Sequence, residues 1–151
     1  MTFFQFEADF VDSLRCIPMQ VRLKLDTCGI KLKLADWSCF SEAERQIIAL
    51  QPCTTETEIE AYRQQLQSLV QKHTGTVAKD LSIDANPEWT NEHHIPPSLQ
   101  EKVKEVGATL TVTQWQALTP LQRFALIKLS RPSHENKNFL PALQEFNLDI
   151  K

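Results

Sequence analysis

The chain has 151 residues, a length that suits a single hydrophobic core. Its 42% hydrophobic and 23% charged residues are typical of a globular protein, and a net charge of −3 argues against a general binder of nucleic acid or anionic membranes. The three glycines are too few for glycine-rich phosphate-binding loops or glycine-rich all-β folds, which need many positions of positive φ.

The N-terminus and the lack of a long apolar stretch indicate a cytoplasmic protein, whose cysteines should be reduced. Residues 1–10 carry acidic side chains where a secretory signal needs basic ones, and no apolar stretch approaches the roughly 18 residues of a membrane span. The spacing of Cys16, Cys28, Cys39 and Cys53 fits no common zinc pattern, so we expect free thiols. Cys28 and Cys39 fall on predicted apolar faces, which favours core packing over a redox or metal role.

An internal repeat occurs at a spacing of 78 residues. Residues 17–49 align with residues 95–127 without a gap, and seven of the 33 pairs are identical where roughly two are expected by chance. The identical pairs are Ile17/Ile95, Pro18/Pro96, Lys24/Lys102, Gly29/Gly107, Leu32/Leu110, Trp37/Trp115 and Arg45/Arg123. Because two of three glycines and two of three tryptophans are among them, we predict two copies of one structural unit.

Each copy begins with an Ile-Pro pair and a helix of about three turns, since proline suits the first helical turn. Gly29 and Gly107 are expected to end these helices in the left-handed conformation. A single turn further on carries Trp37 in the first copy and Trp115 in the second. These four residues are therefore predicted to have structural roles.

Between the glycine and the tryptophan, residues 30–34 and 108–112 alternate between apolar and polar side chains, which predicts two short half-buried strands. We expect the strands to pair antiparallel across a pseudo-twofold axis, with Leu32 near Leu110, because lone strands would leave backbone groups unpaired. The predicted fold class is mainly α, with two helix–short strand–helix repeats. The layout is similar to a pair of EF-hands, but no calcium-loop acids are present.

Capping boxes mark the starts of the later helices at Ser41–Glu44, Thr55–Glu58 and Thr119–Gln122. A third helix in the first copy has Ile59, Tyr62, Leu66, Leu69 and Val70 at helical spacing, and its counterpart in the second copy has Phe139, Leu143 and Phe146.

The remaining segments complete one predicted domain, residues 1–151. Phe6, Phe10 and Leu14 predict a short helix around residues 8–15. Trp89 is expected to fix the turn-rich connector to the core. The segments are an N-terminal part (1–16), the first repeat (17–72), the connector (73–94) and the second repeat (95–150).

Catalytic motifs are missing from the sequence: no nucleophile elbow, zinc-protease, phosphate-loop or dinucleotide pattern occurs. His93 and His94 are adjacent on a predicted loop, where neighbouring side chains diverge, so a solvated or structural role is favoured over metal binding. We predict no catalytic residues, no metal and no cofactor.

Charge is distributed unevenly along the first copy. Residues 15–33 carry a local charge of +4 and residues 42–60 one of −4. Lys31 and Lys33 correspond to threonines in the second copy, so only one copy became basic. The two interpretations are a solvated face and an electrostatic docking surface for an acidic partner. The candidate partner-binding residues are Arg22, Lys24, Lys31 and Lys33.

Arg45 and Arg123 fall at the same position of a capped helix in both copies. A matched pair favours a framework role, with bonds to carbonyls of the preceding turn or stacking on the matched tryptophans. A nucleic-acid partner is not indicated, because the basic stretch belongs to an acidic chain.

The run from Phe6 to Met19, with residues 24–32, resembles the nitrate reductase-associated protein family of cyanobacteria. Trp37, residues 44–46, Pro52-Cys53, Pro87-Glu88-Trp89 and Ile95-Pro96 extend the resemblance over most of the chain. The resemblance implies a gene beside those for nitrate reductase and molybdopterin synthesis, and a protein that is needed to obtain active nitrate reductase. It supplies no catalytic residues.

The resemblance favours a non-enzymatic accessory protein that binds nitrate reductase, including its immature form, and aids maturation or cofactor loading. An alternative is a regulatory module acting on expression of the nitrate reductase genes, and a third is an enzyme or cofactor carrier. Direct capture of the molybdenum cofactor is disfavoured, because its pyrophosphate calls for converging backbone donors or an arginine cluster.

Overall fold

The computed structural model describes residues 4–7, 16–131 and 138–148. Within them the fold is mainly helical with one small antiparallel sheet, which confirms the predicted fold class. The α-helices are α1 (Met19–Cys28), α2 (Leu34–Cys39), α3 (Glu42–Leu50), α4 (Glu56–Thr74), α5 (Pro97–Glu105), α6 (Val112–Ala117), α7 (Pro120–Ser130) and α8 (Phe139–Glu145). Two 3₁₀ helices span Gln5–Glu7 and Glu88–Thr90, and the strands are β1 (Ile30–Lys31) and β2 (Lys79–Asp80). The helix predicted around 8–15 lies outside the described residues.

Local signals set the helix starts. Ser41, Thr55 and Thr119 each accept a hydrogen bond from the N3 backbone, and the N3 side chain accepts one in return, so all three predicted capping boxes are confirmed. A fourth box, Thr111 with Gln114, starts α6 inside the stretch predicted as a strand. The same residue that alternation assigns to a strand is therefore a helix cap.

Left-handed glycines end the first helix of each copy, as predicted: φ is 78° at Gly29 and 77° at Gly107. At Gly29 the surroundings are also tight. A Cβ there would lie 2.8 Å from Ile83 Cγ1 and 3.0 Å from the Leu81 carbonyl oxygen. Glycine at this position thus permits both the backbone turn and the close approach of residues 81–83.

The predicted pairing of residues 30–34 with 108–112 is wrong. β1 instead pairs antiparallel with β2, so that Ile30 is opposite Asp80 and Lys31 is opposite Lys79. The strand is also shorter than predicted, because α2 already begins at Leu34. In the second copy the stretch holds only an isolated bridge residue, Ala108, before α6.

Helix α4 explains why the connector supplies the partner strand. The side-chain amide of Gln67 accepts from the Ala78 N–H at 2.8 Å and donates to the Ala78 carbonyl at 3.0 Å. The Arg63 guanidinium donates to the carbonyls of Cys28 and Gly29 and forms an ion pair with Asp80. These contacts fix β2 beside the end of α1, and neither side chain was predicted to make them.

The chain divides into two compact units, one from Glu7 to Ile83 and one from Asp84 onward together with Phe4–Phe6. The boundary falls inside the predicted connector. The single-domain organisation stays a prediction.

In the first unit, helices α1, α2 and α4 pack around a common apolar core. Trp37, Ile48, Tyr62 and Leu66 are completely buried there. The buried Tyr62 hydroxyl donates to the Ile48 carbonyl at 3.0 Å, so its polar atom is satisfied. The apolar face predicted for the third helix is the face that α4 buries, with Ile59 at its margin.

In the second unit, α7 is the central helix, and it contacts α5, α8 and the 3₁₀ helix at Glu88–Thr90. Trp89 packs edge-on against the buried Phe124 with ring centroids 4.9 Å apart. Phe139, Leu143 and Phe146, the predicted counterpart of the third helix, are all buried.

Local features recur in the same order in both units: left-handed glycine, short helix with a buried tryptophan, capping box and arginine. The second short helix lies at Val112–Ala117, which is Leu34–Cys39 displaced by 78 residues. Common origin and superposition of the two copies stay predictions.

Candidate functional site

Three exposed lysines lie on the two-stranded sheet or directly after its first strand, and we call them the basic ribbon: Lys31, Lys33 and Lys79. Burial alternates along residues 30–33, with Ile30 and Leu32 buried and both lysines exposed. Lys33 has extended backbone angles, so its side chain follows Lys31 on the same face. Lys79 reaches this face from β2. Sequence reasoning missed it because it lies in the connector.

Lys31 and Lys79 are directly opposite each other in the antiparallel register. Side chains so paired share one face of the sheet, and like charges there are destabilising. Val77, two residues before Lys79 in the chain, is 60% exposed. The exposed surface here therefore combines the three lysines with one aliphatic side chain.

The nearest carboxylate along β2 is already engaged. Asp80 follows Lys79, but its carboxylate pairs with Arg63. Among the described residues, no ion pair joins a carboxylate to Lys31, Lys33 or Lys79. The positive charge of the ribbon is therefore not neutralised by a neighbouring carboxylate in this part of the chain.

Lys24 and Arg22, also predicted to bind a partner, make bonds within the first unit. The Lys24 ammonium donates to the carbonyls of Ala49 and Gln51, both at 2.7 Å, and burial lowers the pKa of Lys24. Its charge lies at the C-terminal end of α3, where the helix dipole favours a cation. Arg22 Nε donates to the Ile17 carbonyl at 3.1 Å. These contacts distinguish the two residues from the basic ribbon, and their part in partner binding stays a prediction.

The matched arginines bind main-chain carbonyls. Arg45 donates to the carbonyls of Trp37 and Ser38, at 3.3 and 3.2 Å. Arg123 is buried, and its guanidinium donates to the carbonyls of Trp115 and Leu118. The Arg123 guanidinium also lies 5.9 Å from the centre of the Trp115 ring.

Arg123 and Trp115 hold the connector as well. Arg123 Nε donates to the Trp89 carbonyl at 2.7 Å, and Trp115 Nε1 donates to the Asn91 carbonyl at 2.8 Å. Burial lowers the pKa of Arg123, opposed by the charge of Glu92. A planar guanidinium can serve several carbonyls at once, so the geometry suits a framework role.

In the acidic stretch of the first copy, Glu44 combines helix capping with a contact to α4. Its Oε1 accepts from the Ser41 N–H and bonds to His73 Nε2, both at 2.8 Å, and Oε2 pairs with Lys72 at 3.1 Å. The pKa of Glu44 is lowered to about 2, chiefly by the Ser41 backbone bond and further by Lys72 and His73. This carboxylate thus stabilises the local structure.

The four cysteines are free thiols. Cys28 and Cys53 are buried, and burial raises their pKa values to about 11 and about 12. Their thiols are therefore neutral and poorly nucleophilic near neutral pH. The predicted packing of Cys28 is confirmed, but that of Cys39 is wrong, because Cys39 is exposed at the last residue of α2.

Among the described residues, no group of three or more His, Cys, Asp or Glu side chains could hold a metal ion. His93 Nδ1 lies 3.3 Å from the Gln116 amide, and His93 and His94 are both exposed. A surface depression beside α5 is lined by Gln100, Glu101, Lys104 and residues 108–110, a lining without cysteine, serine or histidine. No helix within residues 4–7, 16–131 and 138–148 is long and apolar enough to cross a membrane.

The structure thus combines arginines bonded to main-chain carbonyls with exposed lysines at a small sheet, in a mainly helical fold. The family model described as "conserved nitrate reductase-associated protein" matches residues 3–146, and the chain belongs to this family. Comparisons with curated proteins and with solved structures found no match.

Proposed function

We propose that this protein is a non-enzymatic, cytoplasmic accessory protein of nitrate assimilation that binds nitrate reductase. The observation that carries the proposal is the family match over residues 3–146, a family described by its association with that enzyme. Binding to the immature reductase would let the protein aid maturation or cofactor loading. Nucleic acid has no part in this mechanism.

Protein contact is favoured over direct capture of the molybdenum cofactor. A pyrophosphate group is bound by converging backbone donors or clustered arginines. Here Arg63 binds Asp80 and two carbonyls, and Arg123 binds three carbonyls, so both guanidinium groups are committed within the fold. The basic ribbon, by contrast, offers flexible ammonium groups suited to a protein surface.

The decisive experiment compares a deletion strain with its parent. We expect normal reductase transcript and normal amounts of reductase protein but low reductase activity, together with co-purification of the two proteins from the parent. Lost transcript with no co-purification would instead support the regulatory alternative. Normal activity in the deletion strain would refute both.

The same strain distinguishes the maturation step. Molybdenum cofactor content is measured on reductase purified from the deletion strain before and after addition of this protein with cofactor-containing extract. A low content that the addition restores supports cofactor loading. A full content in an inactive enzyme assigns the assistance to another stage of maturation.

A further inference from the structure

We infer that the basic ribbon binds an acidic protein segment, with Lys79 as an essential member beside Lys31 and Lys33. The inference rests on the proposed function, which makes the reductase the protein that carries the segment. Its basis is the register of the sheet, which puts Lys31 and Lys79 on one face with no described carboxylate paired to either. A carboxylate-rich segment laid along this face would relieve the repulsion between them.

The arrangement fits an acidic peptide better than a nucleic acid or an anionic membrane. Base recognition uses arginine forks or aromatic stacking, whereas the ribbon has lysines and the aliphatic Val77. The ribbon also belongs to a chain of net charge −3. The acidic remainder of the chain would repel an extended anion such as a nucleic acid or an anionic bilayer. A short acidic segment would contact only the ribbon, so it would gain the attraction without that repulsion.

The fold keeps these lysines in place independently of a partner. Gln67 binds the backbone of Ala78, and Arg63 joins the end of α1 to Asp80. The ribbon is thus held by neutral and ion-pair contacts that leave its ammonium groups in solvent. Such preorganisation limits the ordering cost when a partner binds.

The test measures association of purified nitrate reductase with a triple variant, Lys31→Gln/Lys33→Gln/Lys79→Gln. We expect the association rate constant to fall about tenfold at low salt, with a weaker dependence on NaCl concentration than wild type. The matched control is Ser98→Glu/Thr113→Glu/Gln144→Glu, three exposed positions of the second unit. Both variants lower the net charge of −3 by three, so a difference between them reports the ribbon itself.

Lys31→Glu distinguishes binding from folding. It places a carboxylate opposite Lys79, so thermal stability should be equal to or above wild type while association weakens. Reductase binding within twofold of wild type for both Lys31→Glu and the triple glutamine variant would overturn the inference and leave the proposed function intact. Equal weakening by the second-unit control would also overturn it.

A polyglutamate peptide provides a readout that does not depend on the reductase. Binding of the peptide to wild type, and its loss in the triple glutamine variant, would support the ribbon even if the reductase failed to bind and the proposed function fell. No peptide binding, or tighter binding of duplex DNA or phosphatidylserine vesicles than of the peptide, would overturn the inference.

Discussion

In both units, single side chains link backbone segments that are distant in sequence. Lys24, Arg63, Arg45 and Arg123 all donate to carbonyl oxygens. Such donors satisfy main-chain acceptors that helices and turns leave unpaired. Their substitution tests how much each contributes.

Arg123 and Arg45 form a matched pair for mutation. Arg123→Lys should lower the free energy of unfolding by about 3 kcal/mol, because a buried guanidinium serves the carbonyls of Trp89, Trp115 and Leu118 and an ammonium cannot reach all three. Arg45→Lys should cost about 1 kcal/mol, since this side chain is more exposed. Urea unfolding at pH 7 measures both, and equal losses would contradict the assignment.

Lys24→Met should destabilise the protein by about 1–2 kcal/mol, because the carbonyls of Ala49 and Gln51 lose a charged donor at the end of α3. Reductase binding should stay at the wild-type level. A variant of wild-type stability with weakened binding would contradict this expectation and support the predicted part of Lys24 in partner binding.

At the level of elements, the sequence predicted what depends on near neighbours. The three capping boxes and the two left-handed glycines need only residues within four positions, and all five are confirmed. Strand pairing depends on distant segments. Lys79 could not be identified as a neighbour of β1 from the sequence, because residues 77–81 do not alternate between apolar and polar side chains.

The decrease in the free energy of unfolding at acid pH should depend on Glu44. Its folded pKa of about 2 is below the ordinary value of 4.5, so its stabilisation is present above pH 4.5 and is lost as pH falls towards 2. Glu44→Gln should flatten the stability curve over this range, and Glu58→Gln, which alters a capping box without these cationic partners, should flatten it less. Chemical unfolding between pH 2 and 6 measures the effect. An unchanged decrease at acid pH in Glu44→Gln would contradict it.

Gly29 and Gly75 separate backbone strain from steric contact, since both have φ near +78° but only Gly29 has neighbours within 4 Å of an added Cβ. Gly75→Ala should cost about 1 kcal/mol, and Gly29→Ala about 2 kcal/mol. Thermal unfolding compares them. Ile83→Ala should recover part of the loss in the Gly29→Ala background, and no recovery would assign the excess to the Leu81 carbonyl.

At the scale of the whole molecule, the sequence predicted the positive charge of the candidate site but not which residues form it. The +4 stretch identified Lys31 and Lys33, yet charge counting could not show that Lys24 is bonded to α3 or that Lys79 lies opposite Lys31. Both facts depend on tertiary contacts. The −4 stretch likewise gave no sign that Glu44 meets His73.

Thiol labelling reports opening of the whole first unit. At pH 8 a neutral maleimide should modify Cys39 rapidly, whereas Cys28 and Cys53 should react only after unfolding, because both are buried with raised pKa values. Mass spectrometry of quenched samples locates the label. Rapid native labelling of Cys53 would contradict the packing described.

The contact between Gly29 and Ile83 has a practical consequence for engineering. Strand β2 ends at Asp80 and the first unit ends at Ile83, whereas Asp84, Ala85 and Asn86 are exposed and begin the second unit. An epitope tag or fluorescent reporter spliced in after Ala85 should therefore be tolerated, while the same insert ahead of Leu81 would detach β2. An insertion at that junction would allow the protein to be followed in living cells without a change to the basic ribbon.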